Sequence, residues 1–218
     1  MPNVCLEVGS KRTFAIAIDW PGWARAAKSS DDALEALASY ADRYQRVLSP
    51  AGIEFTAPVD FAIVEERNGD TTTDFGAPGQ HFARDLDAAG GDELEHLIQV
   101  WEASWHALDG QALVSPAELR KGPRGGGRDR SQMIGHVVEA DRAYARKIDV
   151  RVKPLDPHDR LAVARLHTAM IDGAIATNET HPNGYTAVPD KAWTVRYLIR
   201  RSAWHALDHA WEMADRSD

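Results

Sequence analysis

The chain has 218 residues, 44% of them hydrophobic and 27% charged, a composition that indicates a folded globular protein and excludes wholesale disorder. Acidic residues outnumber basic ones by 33 to 25, and the net charge of −8 argues against a broad nucleic-acid-binding surface. The sequence contains neither an apolar run of the ~20 residues that a membrane span needs nor a signal-peptide pattern, so we expect a cytoplasmic protein without a membrane partner.

The first part of the chain, residues 1–78, is predicted to form a small α/β domain. Val4–Val8 and Thr13–Asp19 are short runs with β-branched or aromatic residues, which predict two strands joined by a hairpin loop. Pro21-Gly22 then predicts a turn. The predicted order of elements in this part is strand, strand, helix, strand.

The helix of this part is predicted to begin after the Ser/Asp cluster at residues 29–32, whose side chains can accept hydrogen bonds from the first backbone amides. Its apolar stripe continues without a break to a stop near Pro50. Residues 61–64 predict a further strand, residues 68–70 a turn, and Thr71–Thr73 a partner strand after it.

Residues 14–23, which include the Pro-Gly turn, and the acidic helix start at residues 30–34 resemble the small HicB-like fold of antitoxins. The resemblance implies a fold for this part of the chain and nothing about its activity. An antitoxin-like regulator would need a basic face for DNA, and the negative net charge is unfavourable to one.

The second part, residues 79–218, is predicted to form a bundle of four helices, so that the whole chain is an α+β protein. Asp156-Pro157 and Pro189-Asp190 are predicted to begin the third and fourth helices, and Leu161 is assigned to the apolar face of the third. The helices are expected at about residues 82–110, 129–149, 157–178 and 189–216.

A glycine-rich, basic segment at residues 121–128 joins the first two predicted helices. It lacks the Gly-Lys-Ser/Thr ending of a phosphate-binding loop. We therefore expect a flexible solvated connection, with an anion-binding loop as the alternative.

His205 and His209 are the first candidate metal ligands. Positions four apart on a helix share a face and lie about 6 Å apart along the axis, so both imidazoles can reach one ion. Because Cys5 is the only cysteine, a cysteine-ligated zinc site is excluded and any metal is held by His and carboxylate. His136 is the third candidate, since a metal or a hydrogen bond would offset the cost of burying its imidazole among apolar residues of the second helix.

With His136 on the second helix and the pair His205 and His209 on the last, residues 80–218 resemble the DinB-like (DinB/YfiT) four-helix bundle proteins. The resemblance implies a bacillithiol- or mycothiol-dependent transferase or isomerase with a three-histidine divalent metal centre, and a homodimer. The α/β segment ahead of the bundle is a departure from that family's pattern. Further residues that resemble the family's surroundings of the pair are Trp204, Asp208, Trp211 and Glu212.

Three histidine ligands leave coordination positions open, as catalytic metal sites do. The metal could lower the pKa of a thiol, and because Cys5 is far from the bundle in sequence, that thiol would be a low-molecular-weight cofactor. Zinc, nickel and iron all suit nitrogen ligands, and the sequence leaves the choice open. We predict an enzyme with a small-molecule substrate; the alternative is a non-catalytic structural, interaction or stress-response protein with a structural or vestigial metal site.

Glu139 and Glu212 are the candidate catalytic residues, because each lies three residues after a candidate ligand. Each could be a base, a fourth ligand or an acceptor that orients an imidazole. The alternative for each is a surface ion pair, with Arg142 or Arg216 respectively.

Other aromatic and imidazole side chains have more ordinary predicted roles. Trp204 and Trp211 are candidates to wall the site and keep water out. The histidines without a partner at helical spacing, expected at the surface or in helix caps, are His81, His96, His158, His167 and His181.

Overall fold

The computed structural model describes residues 1–58, 60–121 and 127–217 and begins with a four-stranded sheet. Neighbouring strands are antiparallel except that β4 runs parallel to β1. With the helices that follow, this confirms the predicted α+β class. The strands are β1 (Asn3–Val8), β2 (Thr13–Ala17), β3 (Ala24–Ala27) and β4 (Ala62–Asn68), in the order β3-β2-β1-β4.

Strand β3 is absent from the sequence prediction, so the predicted element order is incomplete. Its sequence, Ala-Arg-Ala-Ala, contains none of the β-branched or aromatic residues that favour strands. The chain is turned back alongside β2 by Pro21 and Gly22, with the Trp23 backbone N–H donating to the Trp20 carbonyl over 3.1 Å. Gly22 has a φ of 88°, which is the conformation that a Pro-Gly type II turn requires.

The single long helix predicted after residue 29 is two helices, α1 (Ser30–Ser39) and α2 (Ala41–Leu48). Ser29 caps α1, as predicted, by accepting from the Asp32 backbone N–H over 3.1 Å. At Tyr40, φ is −95° and ψ is 0°, so the helix is interrupted there. The interruption lets both helices bury apolar side chains in the same core, a change of direction that an unbroken apolar stripe does not reveal.

The partner strand predicted at Thr71–Thr73 is wrong, because these residues begin a short helix, α3 (Thr71–Phe75). The Asp70 carboxylate accepts from the backbone amides of Thr72 and Thr73, and the Asp70 amide donates to the Thr73 hydroxyl. This reciprocal cap outweighs the strand preference of threonine.

Four longer helices pack around one hydrophobic core, and each corresponds to a predicted segment. Their ends differ from the prediction: residues 83–86 form a 3-10 turn, and Asp159 and Thr194 are the caps of the last two helices. Leu161 is 72% exposed in the first turn of its helix, so its assignment to the core is wrong. The helices are α4 (Gly91–Val114), α5 (Arg130–Ala145), α6 (Arg160–Thr180) and α7 (Val195–Asp215).

Helix α7 is buried on nearly all sides. One side faces the core of the four helices, and Leu207 and Trp211 on the other side join a cluster with Val4 and Leu6 of β1. This contact joins residues on either side of the predicted boundary near residue 78. The division into two domains stays a prediction.

None of the described helices is both long enough and apolar enough to cross a membrane. Most of the predicted glycine-rich loop, residues 122–126, lies outside the described residues.

Candidate metal centre

Three histidines converge where α5 packs against α7. His136 on α5 faces His205 and His209 on α7, and Nε2 of His136 lies 3.1 Å from Nε2 of His205. One nitrogen from each of the three rings lies within 4.8 Å of the others. Nitrogen ligands of one tetrahedral zinc ion are roughly 3.3 Å apart, given Zn–N bonds of about 2.0–2.1 Å. The cluster is therefore close to metal-binding spacing, and an ion would draw the rings slightly inward.

The environment of these rings keeps two of them neutral. Burial, followed by the positive charges of Arg128 and His209, lowers the pKa of His136 from 6.5 to about 4. Burial, followed by His209 and Arg201, lowers the pKa of His205 well below its ordinary value. Neutral imidazole is the form that binds metals, so neither ring has to lose a proton at neutral pH.

Glu212 orients the third ring. Its Oε2 lies 3.0 Å from Nδ1 of His209, and its Oε1 accepts from Nη1 of Arg216 over 2.8 Å. The hydrogen bond with His209, despite partial burial, lowers the pKa of the Glu212 carboxyl, which is therefore ionised at neutral pH. Because an ionised carboxylate only accepts, Nδ1 of His209 donates to Glu212, and Nε2 is the ring nitrogen left for an ion.

Glu139 does not reach the cluster. Its side chain is 51% exposed, and its Oε2 accepts from Nη2 of Arg142 over 2.6 Å. Its spacing from His136 is the same as that of Glu212 from His209, but the Glu139 carboxylate pairs with Arg142 and is half exposed to solvent. Of the two carboxylates predicted from the sequence, the structure brings only Glu212 to the histidines.

The chain matches no protein-family model, no curated protein and no solved structure. Its function is therefore argued from the geometry of this cluster.

Tyr144 and Arg201 also border the cluster, although the sequence analysis gave neither a role there. The ring of Tyr144 lies 6.1 Å from that of His205, and Arg201 precedes His205 by one helical turn. The sequence does contain an indication for Arg201, because the spacing of Arg201, His205 and His209 places all three on one stripe of α7.

The two tryptophans predicted as walls of the site pack mainly elsewhere. Trp204 makes an edge contact with Phe14 of β2, with ring centroids 5.9 Å apart, although its ring also lies beside that of His205. Trp211 contacts Tyr40 at 5.0 Å. Both belong to the contact between α7 and the N-terminal part, which the sequence of α7 alone does not reveal.

Four of the five histidines expected at the surface or in caps lie against aromatic rings. His81 stacks on Tyr197 with ring centroids 3.7 Å apart, and His167 stacks on Trp105 at 3.8 Å. His96 makes an edge contact with Trp20 at 5.4 Å, and His181, at the end of α6, stacks on Tyr185 at 4.2 Å. His158 is exposed and lies 2.8 Å from the Ser131 hydroxyl.

Cys5 lies in the sheet, buried among apolar side chains. Burial raises the pKa of its thiol from 9.0 to about 12. The thiol is protonated at neutral pH and is not a nucleophile.

Proposed function

We propose that the chain is a metal-dependent enzyme of thiol chemistry, a transferase or isomerase in which His136, His205 and His209 hold a divalent ion. The observation that carries this proposal is the convergence of three imidazole nitrogens from two helices within 4.8 Å. Burial, neutral rings and a carboxylate behind His209 are further properties of metal sites. Nitrogen ligands suit zinc, nickel or iron, and three of them leave a position for a substrate atom.

A divalent ion held in this way supplies a low-pKa thiol or water at neutral pH. The chain's own contribution is to hold the ligands, to keep the proton of His209 on the Glu212 side, and to exclude water with buried helix faces. Glu212 is placed to orient His209, whereas a catalytic role for Glu139 stays a prediction without a contact to support it.

The thiol itself would come from solution. Cys5 is buried and protonated, and it is the only cysteine of the chain. The resemblance to DinB-like bundles supports a low-molecular-weight thiol cofactor and a small-molecule substrate. We accordingly propose the cytoplasm as the place of action, because thiols are kept reduced there. A homodimer rests on the resemblance alone.

Elemental analysis of freshly purified protein tests the centre directly. We expect close to one divalent ion per chain, and we expect His205→Ala and His209→Ala to lose it while the control His158→Ala retains it. His158 is the control because it is exposed and is not part of the three-histidine cluster. The metal centre would be refuted if the purified protein contained no stoichiometric metal and if His209→Ala changed neither the metal content nor the stability.

The alternative is a non-catalytic protein, and one observation favours it. The 3.1 Å separation of the His136 and His205 nitrogens is also an ordinary hydrogen bond between neutral rings. Metal-loaded protein that never turns over an electrophile in the presence of added thiol would favour this alternative over the enzyme.

A further inference from the structure

A strip of surface between α5 and α7 continues from the three histidines toward one end of the two helices. On α5, His136, Ala140 and Tyr144 are four residues apart and share a face. Tyr144 contacts both His205 and Trp193, which precedes α7, so the strip leads toward the start of α7. Ala140, which lies between His136 and Tyr144 on this face, has only a methyl side chain.

Arg201 borders this strip on α7, one turn before His205. Its guanidinium carbon lies 4.6 Å from the ring centroid of Trp204 and 5.8 Å from that of Tyr144. Its Nη1 is buried and has no hydrogen-bond partner among the described residues. An unpaired buried donor is costly, so a group held in this way is suited to an acceptor that a ligand brings.

The charges near the strip are unbalanced. Arg201 and Arg128 both act on His205 as positive charges, and a divalent ion would add two more. Three carboxylates near the strip already have partners: Glu212 pairs with His209 and Arg216, Glu139 with Arg142, and Asp141 accepts from Trp105 and Ser202. A negatively charged ligand is the electrostatic complement of such a site.

We propose that the small-molecule ligand of this centre carries a carboxylate that pairs with Arg201 while its other end reaches the metal. This inference rests on the proposed function and names the substrate class. Arg201 and His205 lie one helical turn, or about 6 Å, apart along the axis of α7, so a ligand of a few carbon atoms is the size class to test first. The planar guanidinium fits a carboxylate through two parallel hydrogen bonds.

The test uses the full chain loaded with cobalt(II), which reports thiolate coordination by its absorption. Two probes of equal length are titrated, 4-mercaptobutyrate and the neutral 4-mercapto-1-butanol. We expect the acid to bind at least about tenfold more tightly than the alcohol, as a charge-assisted hydrogen bond predicts. Arg201→Gln should remove this difference without changing the affinity for the alcohol, and Arg201→Lys should restore part of it. The control Arg165→Gln, at an exposed position of α6, should keep the full preference.

The outcomes separate this inference from the proposed function. Equal affinity for acid and alcohol in the unmodified chain overturns the carboxylate site while the metal centre stands. If the chain binds no cobalt, the proposed function fails, and butyrate is titrated into the metal-free protein with the arginine side-chain N–H signals observed by NMR. A shifted signal that Arg201→Gln abolishes then supports the carboxylate site, and no shift at saturating butyrate overturns it. Circular dichroism of each variant verifies the fold.

Discussion

Glu139 and Glu212 occupy equivalent positions in the sequence, each three residues after a histidine, but they differ in their surroundings. Glu212 is anchored from both sides, by Nδ1 of His209 and by Nη1 of Arg216. Glu139 is half exposed and pairs only with Arg142. The same spacing therefore produces a carboxylate that orients an imidazole at Glu212 and a surface ion pair at Glu139. The residues packed around each position, and not the spacing, determine the difference.

The first prediction concerns this matched pair of acids. Glu212→Gln should weaken zinc binding about 10- to 100-fold, because an acceptor that orients a metal-ligating imidazole contributes that much to affinity. Glu139→Gln should leave the affinity within experimental error. Competition with a chromogenic chelator measures both values. Equal losses in the two variants would contradict the assigned role of Glu212.

The second prediction concerns the pH dependence of stability at His81. This ring stacks on Tyr197, and its Nε2 is buried without a partner among the described residues. Burial, with Asp85 partly opposing it, lowers the pKa of His81 from 6.5 to about 4. The unfolded chain therefore binds a proton here below about pH 6.5, whereas the folded chain does so only near pH 4. The free energy of unfolding must fall as pH decreases between these values.

His81→Phe keeps an aromatic ring on Tyr197 and removes the titration. The difference in the free energy of unfolding between the variant and the unmodified chain is measured at pH 7 and at pH 4.5. Between these values we expect it to shift in favour of the variant by about 1–2 kcal/mol, a range reduced for partial exposure of the ring. Urea denaturation at the two pH values measures this change. A difference that does not vary with pH would show that the imidazole is freely protonated in the folded protein.

At the scale of single elements, α7 shows what its sequence can and cannot predict. The spacing of His205 and His209 predicts their common face, because that follows from the helical repeat alone. The roles of Trp204 and Trp211 depend instead on the sheet that packs on the other side of α7. A helix buried all round carries no polar face to indicate its orientation, so the contacts of these two side chains with Phe14 and Tyr40 could not be predicted from the sequence of α7.

The predicted boundaries of the last two helices were wrong, because a proline alone does not mark the residue at which a helix begins. Proline at positions 157 and 189 marks a connection, but the helices begin later, at the side chains that cap them, Asp159 and Thr194. Strand β3 was missed because the backbone turn at Gly22, and not side-chain preference, places it beside β2.

The third prediction tests the close approach of the turn at Gly22 to α7. A Cβ added to Gly22 would lie 2.7 Å from Cδ1 of Leu207 and 3.2 Å from the Ala203 backbone, at a φ of 88°. Gly52 is the matched control, since it has a φ of 72° but open space around it. Gly52→Ala should cost about 1–2 kcal/mol from backbone strain, and Gly22→Ala about 1–3 kcal/mol more from overpacking. Equal costs by thermal denaturation would mean that the turn does not constrain α7.

At the scale of the whole molecule, the two parts of the chain share their stabilising contacts. Asp85, in the connection, accepts two hydrogen bonds from Arg200 of α7, through Nε over 3.1 Å and Nη2 over 2.6 Å. Both side chains are almost fully buried. Composition and periodicity predicted an α/β part followed by a helical part, but this ion pair joins residues 115 positions apart, a relation that local patterns cannot predict.

The final prediction is that residues 79–218 do not fold stably without the first 78. Removing that part would expose Leu207, Trp211 and Val100, which are at most 6% accessible in the full chain. Each large apolar side chain loses about 1.5–3 kcal/mol on exposure, and a typical domain has only about 5–15 kcal/mol of stability in total. The shortened chain should therefore show a much lower unfolding midpoint by circular dichroism and lose the three-histidine cluster, because the position of α7 sets the spacing of His205 and His209 to His136. A fragment that unfolds at the same urea concentration as the full chain would show instead that the four helices form an independent domain.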